Sequence, residues 1–235
     1  MSKQKSLSFG LLIGSVFLGL LFNYANELVK EALAEVSPTP AAANPTDIAP
    51  YCQYRPDWPV FRAGQEKVQH SLGHSGPPDA PGTRDGYEIL LPRVNRATTE
   101  YRVIPLKQGD QLTINACGCV QTGGVGDTWK LYVDPRGKDS DKLYHGLIFV
   151  ENAAKVDLPF SPKIKGFVRI SDLIAWQSRD SHNRLHILHD SYLTLGYEDG
   201  DEDYNDNGYS GHDDGNDGQC KGVGGAAVSI VIDHH

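Results

Sequence analysis

From residue 86 onward the chain is a succession of short runs rich in β-branched and aromatic residues, and in two of them apolar residues occupy every second position. Leu112, Ile114 and Ala116 alternate with more polar neighbours, as in a strand with one buried face, and residues 226–232 repeat this spacing. Turn-forming residues border most such runs, and no helical period is sustained. The pattern therefore predicts an all-β fold, an antiparallel β-sandwich. The nine candidate strands are 87–91, 100–104, 111–120, 130–133, 145–150, 166–170, 184–188, 191–197 and 226–232.

The first 34 residues have the pattern of an export signal. Lys3 and Lys5 precede an apolar run at 9–22, and Ala32-Leu33-Ala34 offers small residues for cleavage. The run is shorter than the ~18 residues that span a bilayer, so we expect no membrane span after cleavage. An uncleaved anchor is the alternative. Either outcome places the rest of the chain outside the cytoplasm, as a secreted, periplasmic or cell-surface protein.

Three further segments follow the signal at 1–34. Residues 35–50 form a Pro/Ala linker, whose composition keeps the chain extended. Residues 51–84 form an irregular, proline-containing arm, and its aromatic side chains supply surface for packing on a neighbouring domain. Residues 85–235 form the predicted sandwich domain.

Acidic residues are concentrated between residues 198 and 217. The formal net charge of the 235-residue chain is -8, which argues against a nucleic-acid partner. The acidic segment holds nine acids and no Lys or Arg, so the remainder of the chain carries a charge of +1. Carboxylates crowded in this way repel one another, and ordering them requires a cation. The distribution predicts a local cation site; a solvated, mobile acidic loop is the alternative.

Calcium is the cation that this segment suits. Carboxylate and amide oxygens, with glycine at the turns, fit an ion that takes about six to eight oxygen ligands. The spacing of 203–214 approaches that of an EF-hand loop, but strand-like residues flank it instead of helices. We therefore expect a calcium loop between two strands. Asp213, Asp214 and Asp217 are candidates for a second calcium, although acids spaced by glycine also suit plain loops.

Four cysteines in an exported chain predict two disulfides. Cys117 and Cys119 point to the same face of one strand, so they cannot pair without distortion, and each must reach Cys52 or Cys220. We expect the pairs Cys119–Cys220 and Cys52–Cys117, the second of which ties the arm to the sandwich. Zinc bound by these thiols is the alternative.

The acidic segment resembles the calcium loop of the PA-I-like bacterial galactose-binding lectins. That family has Tyr-Asn-Asp, a Thr-Tyr pair and Asn-Asn between its last two strands, and this chain has Tyr197-x-Asp199-x3-Asp203-Tyr204-x-Asp206-Asn207. The family's Gly-Asp-x-Ile-Thr-Ile-x-Ala-x-Gly strand is similar to Gly109-Asp110-x-Leu112-Thr113-Ile114-x-Ala116-x-Gly118. Trp129 and Gly146-Leu147-Ile148 also resemble family positions. The likeness covers patches of residues 100–233.

The resemblance implies a jelly-roll lectin of the galactose-binding-domain type, in which calcium bridges protein oxygens and two sugar hydroxyls. It transfers the metal-ligand role to Asp199, Asp206 and Asn207, puts Asp203 where the family has Thr, and adds a backbone carbonyl near Thr122. Asp199, Asp203 and Asn207 also contact the sugar in this scheme. The family's sugar-contacting His-Pro-x-Gln is Lys142-Leu143-Tyr144-His145 here, so His145 stands at the Gln position. Residues 209–218 are an insertion relative to the family.

These observations predict a secreted, calcium-dependent protein that binds galactose-like glycans and is not an enzyme. A single sugar binds weakly, so a homo-oligomer or multivalent glycans are the expected source of avidity. One alternative is a structural or adhesive cell-surface module whose calcium only stiffens the loop. The other is a hydrolase, but a glycosidase needs two carboxylates that face each other across a sugar, whereas these acids crowd into one segment.

Overall fold

The structure is a computed structural model that describes residues 66–70, 82–123, 128–138, 140–150, 166–200 and 203–235. All of these residues lie in one compact unit. They form twelve strands and one α-helix. The elements are β1 (Lys67–His70), β2 (Arg84–Leu90), β3 (Thr98–Leu106), β4 (Gln111–Cys117), β5 (Cys119–Thr122), β6 (Trp129–Leu131), β7 (Gly146–Phe149), β8 (Phe167–Arg169), α1 (Ile170–Gln177), β9 (Leu185–His186), β10 (Ser191–Tyr197), β11 (Asn207–Gly208) and β12 (Ala227–Asp233).

The strands form two larger antiparallel sheets and one small sheet. The five-stranded sheet has the order β1-β2-β12-β4-β9, and the four-stranded sheet has the order β3-β10-β7-β8. Strands β11, β5 and β6 make the three-stranded sheet. All pairs within these sheets are antiparallel. The prediction of an all-β antiparallel sandwich is therefore confirmed.

One apolar core lies between the two larger sheets. Ile89, Ile114 and Ile230 come from the five-stranded sheet, and Ile148 and Leu195 come from the four-stranded sheet. Each of these side chains is at most 2% exposed. The alternation seen in the sequence is thus the alternation between a core-facing and an outward-facing side chain. Burying a side chain of this size contributes roughly 1.5–3 kcal/mol to stability.

The predicted strand at 191–197 coincides with β10, whereas the predicted strand at 111–120 is divided. Gly118 separates β4 from β5 and has a φ of +89°, a conformation that other residues rarely adopt. A Cβ atom at this position would lie 2.3 Å from the Gly225 carbonyl oxygen. The close approach of the two backbones therefore requires glycine at position 118. At this residue the chain passes from the five-stranded sheet into the small sheet.

Two elements differ from the sequence expectations. Helix α1 follows directly on β8, within and beyond the predicted strand at 166–170, and it buries Ile170, Leu173 and Trp176. Eight residues are too few for a sustained helical period, so packing against the core stabilises this helix. Within the arm that was expected to be irregular, Lys67–His70 forms β1 and pairs with β2. The rest of the arm up to residue 81, the linker at 35–50 and the signal at 1–34 lie outside the described residues.

A disulfide joins Cys119 to Cys220, as predicted. Both sulfur atoms lie in a small apolar cluster with Trp129 and Val223. Cys117 is also disulfide-bonded; its predicted partner, Cys52, lies outside the described residues. Among the residues that the structure describes, no helix is long and apolar enough to cross a membrane.

Candidate functional site

The acidic segment leaves β10 through two anchors at Glu198. Its backbone N–H donates to the His145 carbonyl over 2.8 Å. Its carboxylate accepts a hydrogen bond of 2.9 Å from the Arg169 guanidinium, which also donates to the Lys142 carbonyl over 2.8 Å. Arg169 is only 8% exposed, and an ion pair with little solvent around it holds its geometry well. Glu198 is therefore committed to Arg169, and a cation site in this segment has to begin at the next acid, Asp199.

The segment returns to the fold through β11. Asn207 is the register partner of Thr122, and Gly208 is that of Gln121. The Asn207 amide nitrogen donates to the Val94 carbonyl over 3.3 Å, and the Tyr209 hydroxyl donates to the Pro92 carbonyl over 2.7 Å. This end of the segment thus lies against β5, where the resemblance puts the carbonyl ligand near Thr122.

Asp199 and Asn207 meet across the segment. The Asn207 amide nitrogen donates to the Asp199 carboxylate over 2.5 Å. The other side-chain atom of Asn207, Oδ1, is buried, and no described residue donates a hydrogen bond to it. A buried acceptor without a donor costs roughly 1–3 kcal/mol. A hard cation bound here would give Asn207 Oδ1 a partner and would lie beside the Asp199 carboxylate.

The Tyr197 hydroxyl is a second buried polar atom near Asp199. Within the described ranges it has no hydrogen-bond partner, and the residue is 1% exposed. Burial raises the pKa of Tyr197 well above its ordinary value, and the nearby Tyr132 and Asp199 raise it further. The phenol therefore stays neutral, and two unsatisfied oxygens, one phenolic and one amide, lie near the same carboxylate.

Asp203 and Asp206 lie on the exposed side of the segment. Asp203 Oδ1 accepts from the Asn205 backbone N–H over 3.3 Å and from the Asn205 side chain over 3.1 Å, which caps a 3₁₀ turn at Tyr204–Asp206. Asp206 Oδ2 lies 3.8 Å from the position that a Cβ atom would take at Gly123, the residue after Thr122. Asp206 therefore lies near the end of β5 on the solvent-exposed side, whereas Asn207 lies near it on the buried side.

The structure places four of the five predicted ligands around the end of β5, three of them in contact or in register and Asp206 on the exposed side. Asp199 contacts Asn207, Asn207 pairs with Thr122, and Asp206 reaches the residue after Thr122. Asp203 turns one oxygen toward its own loop. In the described part of the chain, no three His, Cys, Asp or Glu side chains form a metal-ligand group. The possible metal ligands around the end of β5 are two carboxylates, an amide oxygen and a backbone carbonyl. All of them are oxygen ligands of the kind that calcium takes.

The segment at 142–145 lies next to the beginning of the acidic segment. Gly200 is so close to Leu143 that a Cβ atom at Gly200 would lie 2.6 Å from a Leu143 methyl carbon. The resemblance assigns sugar contacts to this segment. His145, however, is only 4% exposed, whereas Lys142 is exposed. Lys142 is thus better placed than His145 to meet a ligand from solvent.

The candidates for a second calcium lie on the loop between β11 and β12. Asp213 Oδ1 accepts from the Gly215 backbone N–H over 2.8 Å, and the Asp214 carbonyl accepts from the Cys220 N–H over 2.8 Å. Asp217 is exposed, with a φ of 58°. The structure does not gather these three carboxylates into a metal-ligand group.

Side chains other than these carboxylates attach that loop to the small sheet. The Gln219 amide accepts from the Leu131 and Arg136 N–H groups over 3.1 and 2.9 Å. The Lys130 ammonium donates to Asn216 over 2.9 Å, and the His212 ring lies 4.7 Å from the Trp129 ring. The insertion at 209–218 is therefore held by hydrogen bonds and ring packing.

Two residues that position the site are not evident from the sequence. Arg169 fixes the start of the acidic segment, and the signal for it is a charged residue in the apolar run Phe167-Val168-Arg169-Ile170. Tyr197 belongs to the family motif, but the motif does not show that its hydroxyl lies buried and unsatisfied near Asp199. Burial of a polar side chain at the end of a strand is a tertiary property, so spacing alone does not show it.

A solved structure, the N-terminal domain of EclA, a PllA-like lectin, is similar to this chain. The two are 14% identical, the alignment covers 63% of this chain and 92% of that domain, and the TM-score is 0.30. No family model matches the sequence, and no curated protein matches it. A TM-score this low supports no functional conclusion, so the function has to be argued from the geometry of the site.

Proposed function

We propose that this protein is an exported, calcium-dependent lectin that binds galactose-like glycans through the segment between β10 and β11. Binding is at equilibrium, without chemistry. The observation that carries the proposal is the contact of Asp199 with Asn207, whose second side-chain atom is buried without a donor from the described residues. A calcium ion at this place would supply open coordination positions for two neighbouring sugar hydroxyls.

The chain's own residues have distinct tasks in this proposal. Arg169 and the His145 carbonyl hold Glu198, so that Asp199 enters the site from a fixed backbone. The pairing of Asn207 with Thr122 fixes the opposite side. Asp206 adds negative charge at the exposed rim, near Gly123. A site whose two sides are attached to different sheets is preorganised, which reduces the ordering cost of binding.

Thermal melting of the full chain in calcium, in chelator, and in calcium with galactose tests the proposal. A ligand at about 100 times its dissociation constant adds about 2.7 kcal/mol, which raises the midpoint of a domain of this size by roughly 5–11 °C. We expect one rise on adding calcium and a further rise on adding galactose. A rise with calcium alone would favour the structural or adhesive module, and the lack of any calcium response would refute the calcium site.

Asp199→Ala is the decisive variant, and Asp180→Ala is its matched control. Asp180 is an exposed carboxylate that contacts His182 on the turn after α1. We expect Asp199→Ala to lose both the calcium shift and the galactose shift, and Asp180→Ala to keep both. Wild-type galactose binding by Asp199→Ala would show that calcium does not bridge protein and sugar.

A further inference from the structure

A pocket of about 400 Å³ opens between β1, β2 and β3. Its volume falls within the roughly 300–1,000 Å³ that small-molecule sites occupy. Strands β1 and β3 are the outermost strands of the two larger sheets. The pocket therefore lies at one open side of the sandwich. None of the described residues that line it belongs to the acidic segment.

An irregularity in β3 shapes this pocket. The register between β10 and β3 jumps from Tyr192–Pro105 to Leu193–Tyr101, which leaves Arg102, Val103 and Ile104 without register partners on β10. Such bulges re-aim side chains and are common beside binding sites. Here Arg102 and Val103 line the pocket, and Val103 is 64% exposed. The bulge also makes this edge a poor template for the addition of another strand.

The charges that line the pocket are paired. Glu66 forms an ion pair of 2.5 Å with Arg93, and Glu100 forms one of 2.7 Å with Arg102. Arg93 lies outside the lining, but with it the two carboxylates and two guanidinium groups balance, so the pocket offers no excess of positive charge to phosphates and other strongly anionic molecules. A neutral ligand with hydroxyl groups can still donate to these carboxylates and accept from these guanidinium groups.

One carboxylate oxygen in the lining lacks a donor. Glu66 Oε2 is buried, and nothing in the described ranges donates a hydrogen bond to it. Three of the other lining residues carry aromatic rings: the His70 and Tyr87 rings lie 4.7 Å apart, and Tyr101 also lines the pocket. His70 is exposed, whereas Tyr87 and Tyr101 are buried. Aromatic side chains combine an apolar face with a polar edge. A pyranose has the complementary shape, with C–H groups on its faces and hydroxyls around its rim.

We propose that this pocket is a second sugar-binding site, which holds one neutral pyranose ring without calcium. In this proposal the Glu66 carboxylate rotates so that Oε2 accepts a hydrogen bond from a sugar hydroxyl, and a face of the sugar ring packs on the exposed His70 ring and on Val103. This site is separate from the proposed calcium site in both residues and chemistry. Two sites on one chain would also allow a branched or long glycan to bind with avidity.

Saturation-transfer NMR on the full chain in excess chelator tests this site. The probes are galactose, glucose and N-acetylglucosamine at tens of millimolar. We expect at least one of the three to bind the wild type in chelator. Asp199→Ala should bind that sugar as the wild type does, which separates this site from the calcium site. Absence of binding by all three sugars in chelator would overturn the proposal, whatever the outcome in calcium.

Two variants locate the binding. Glu66→Gln removes the carboxylate, and because hydrogen bonds to charged groups are the stronger ones, we expect binding to weaken about ten-fold or more. Val103→Arg puts a long charged side chain at an exposed position of the lining, so it should weaken binding without unfolding the protein. Leu188→Arg is its matched control, since Leu188 is 39% exposed just after β9, the opposite edge strand. Equal binding by Val103→Arg and Leu188→Arg would refute the location.

Discussion

His234 lies buried between two buried carboxylates at the end of the chain. Its Nδ1 is 2.9 Å from Asp110 Oδ1, and its Nε2 is 3.3 Å from Asp85 Oδ2. The residues His234, Asp110 and Asp85 are 3%, 2% and 4% exposed, respectively. An imidazole that donates from both nitrogens is protonated. Burial would lower the pKa of His234, but the hydrogen bonds to Asp110 and Asp85 outweigh it and hold this pKa above its ordinary value.

We predict that His234→Gln destabilises the fold severely. The substitution removes the positive charge between Asp85 and Asp110, and breaking a buried ion pair on one side costs about 3–5 kcal/mol. For a domain of this size that corresponds to a fall of roughly 6–20 °C in the melting midpoint. His235→Gln, at the exposed neighbouring residue, should change the midpoint little. Adding Asp85→Asn to His234→Gln should cost less than the sum of the two single changes, since it removes one unpaired charge.

The effect should depend on pH in a defined direction. Because the folded-state pKa of His234 is raised, its contribution is complete below the unfolded-state pKa of about 6.5 and is lost as the pH rises through the folded-state value. Denaturant unfolding of the wild type and of His234→Gln from about pH 6 to about pH 9 measures this. The difference between them should be largest at low pH and shrink as the pH rises. A difference that is constant, or that grows with pH, would refute the protonated bridge.

Two further predictions concern packing and covalent structure. Gly146→Ala should lower stability by roughly 1–3 kcal/mol or more, because the new Cβ atom would lie 2.4 Å from two atoms of the buried Tyr132 ring; an unchanged melting midpoint would show that the ring can move aside. Reduction of Cys119–Cys220, which joins residues 101 apart in sequence, should cost about 4.7 kcal/mol in the chain-entropy description. Because reductant would also open the disulfide of Cys117, melting of the double variant Cys119→Ser/Cys220→Ser against the wild type measures the loss of this one bond, and an unchanged midpoint would contradict the entropic estimate.

The segment between β10 and β11 shows how much of the candidate site can be predicted from the sequence. The concentration of acids, and the resemblance of Tyr197 to Asn207 to a calcium loop, are sufficient to select the segment. The pairing of Asn207 with Thr122 follows from the resemblance only in outline, and a two-residue strand such as β11 has no periodicity of its own. The anchor at Arg169 and the burial of His145 are not predictable in this way, because both depend on which strands become neighbours.

The succession of short strand-like runs, two of them with alternating apolar residues, is sufficient to predict the sandwich itself. It places β10 correctly, and the core-facing positions of β4 and β12 follow from it, because the side chains of a strand alternate between faces whatever the strand pairs with. Two disulfides are also expected from the number of cysteines, and the structure confirms Cys119–Cys220. These features are local, or depend on composition alone.

Tertiary structure alone decides the remaining features. Strand β1 exists through its pairing with β2, and α1 through its packing on the core. His234 reaches Asp110 and Asp85 across sequence separations of 124 and 149 residues, and the pocket between β1 and β3 depends on the edges of two different sheets. A sequence pattern reports on neighbours along the chain, whereas a buried charge, a short strand and a pocket are stabilised by groups that only folding brings together.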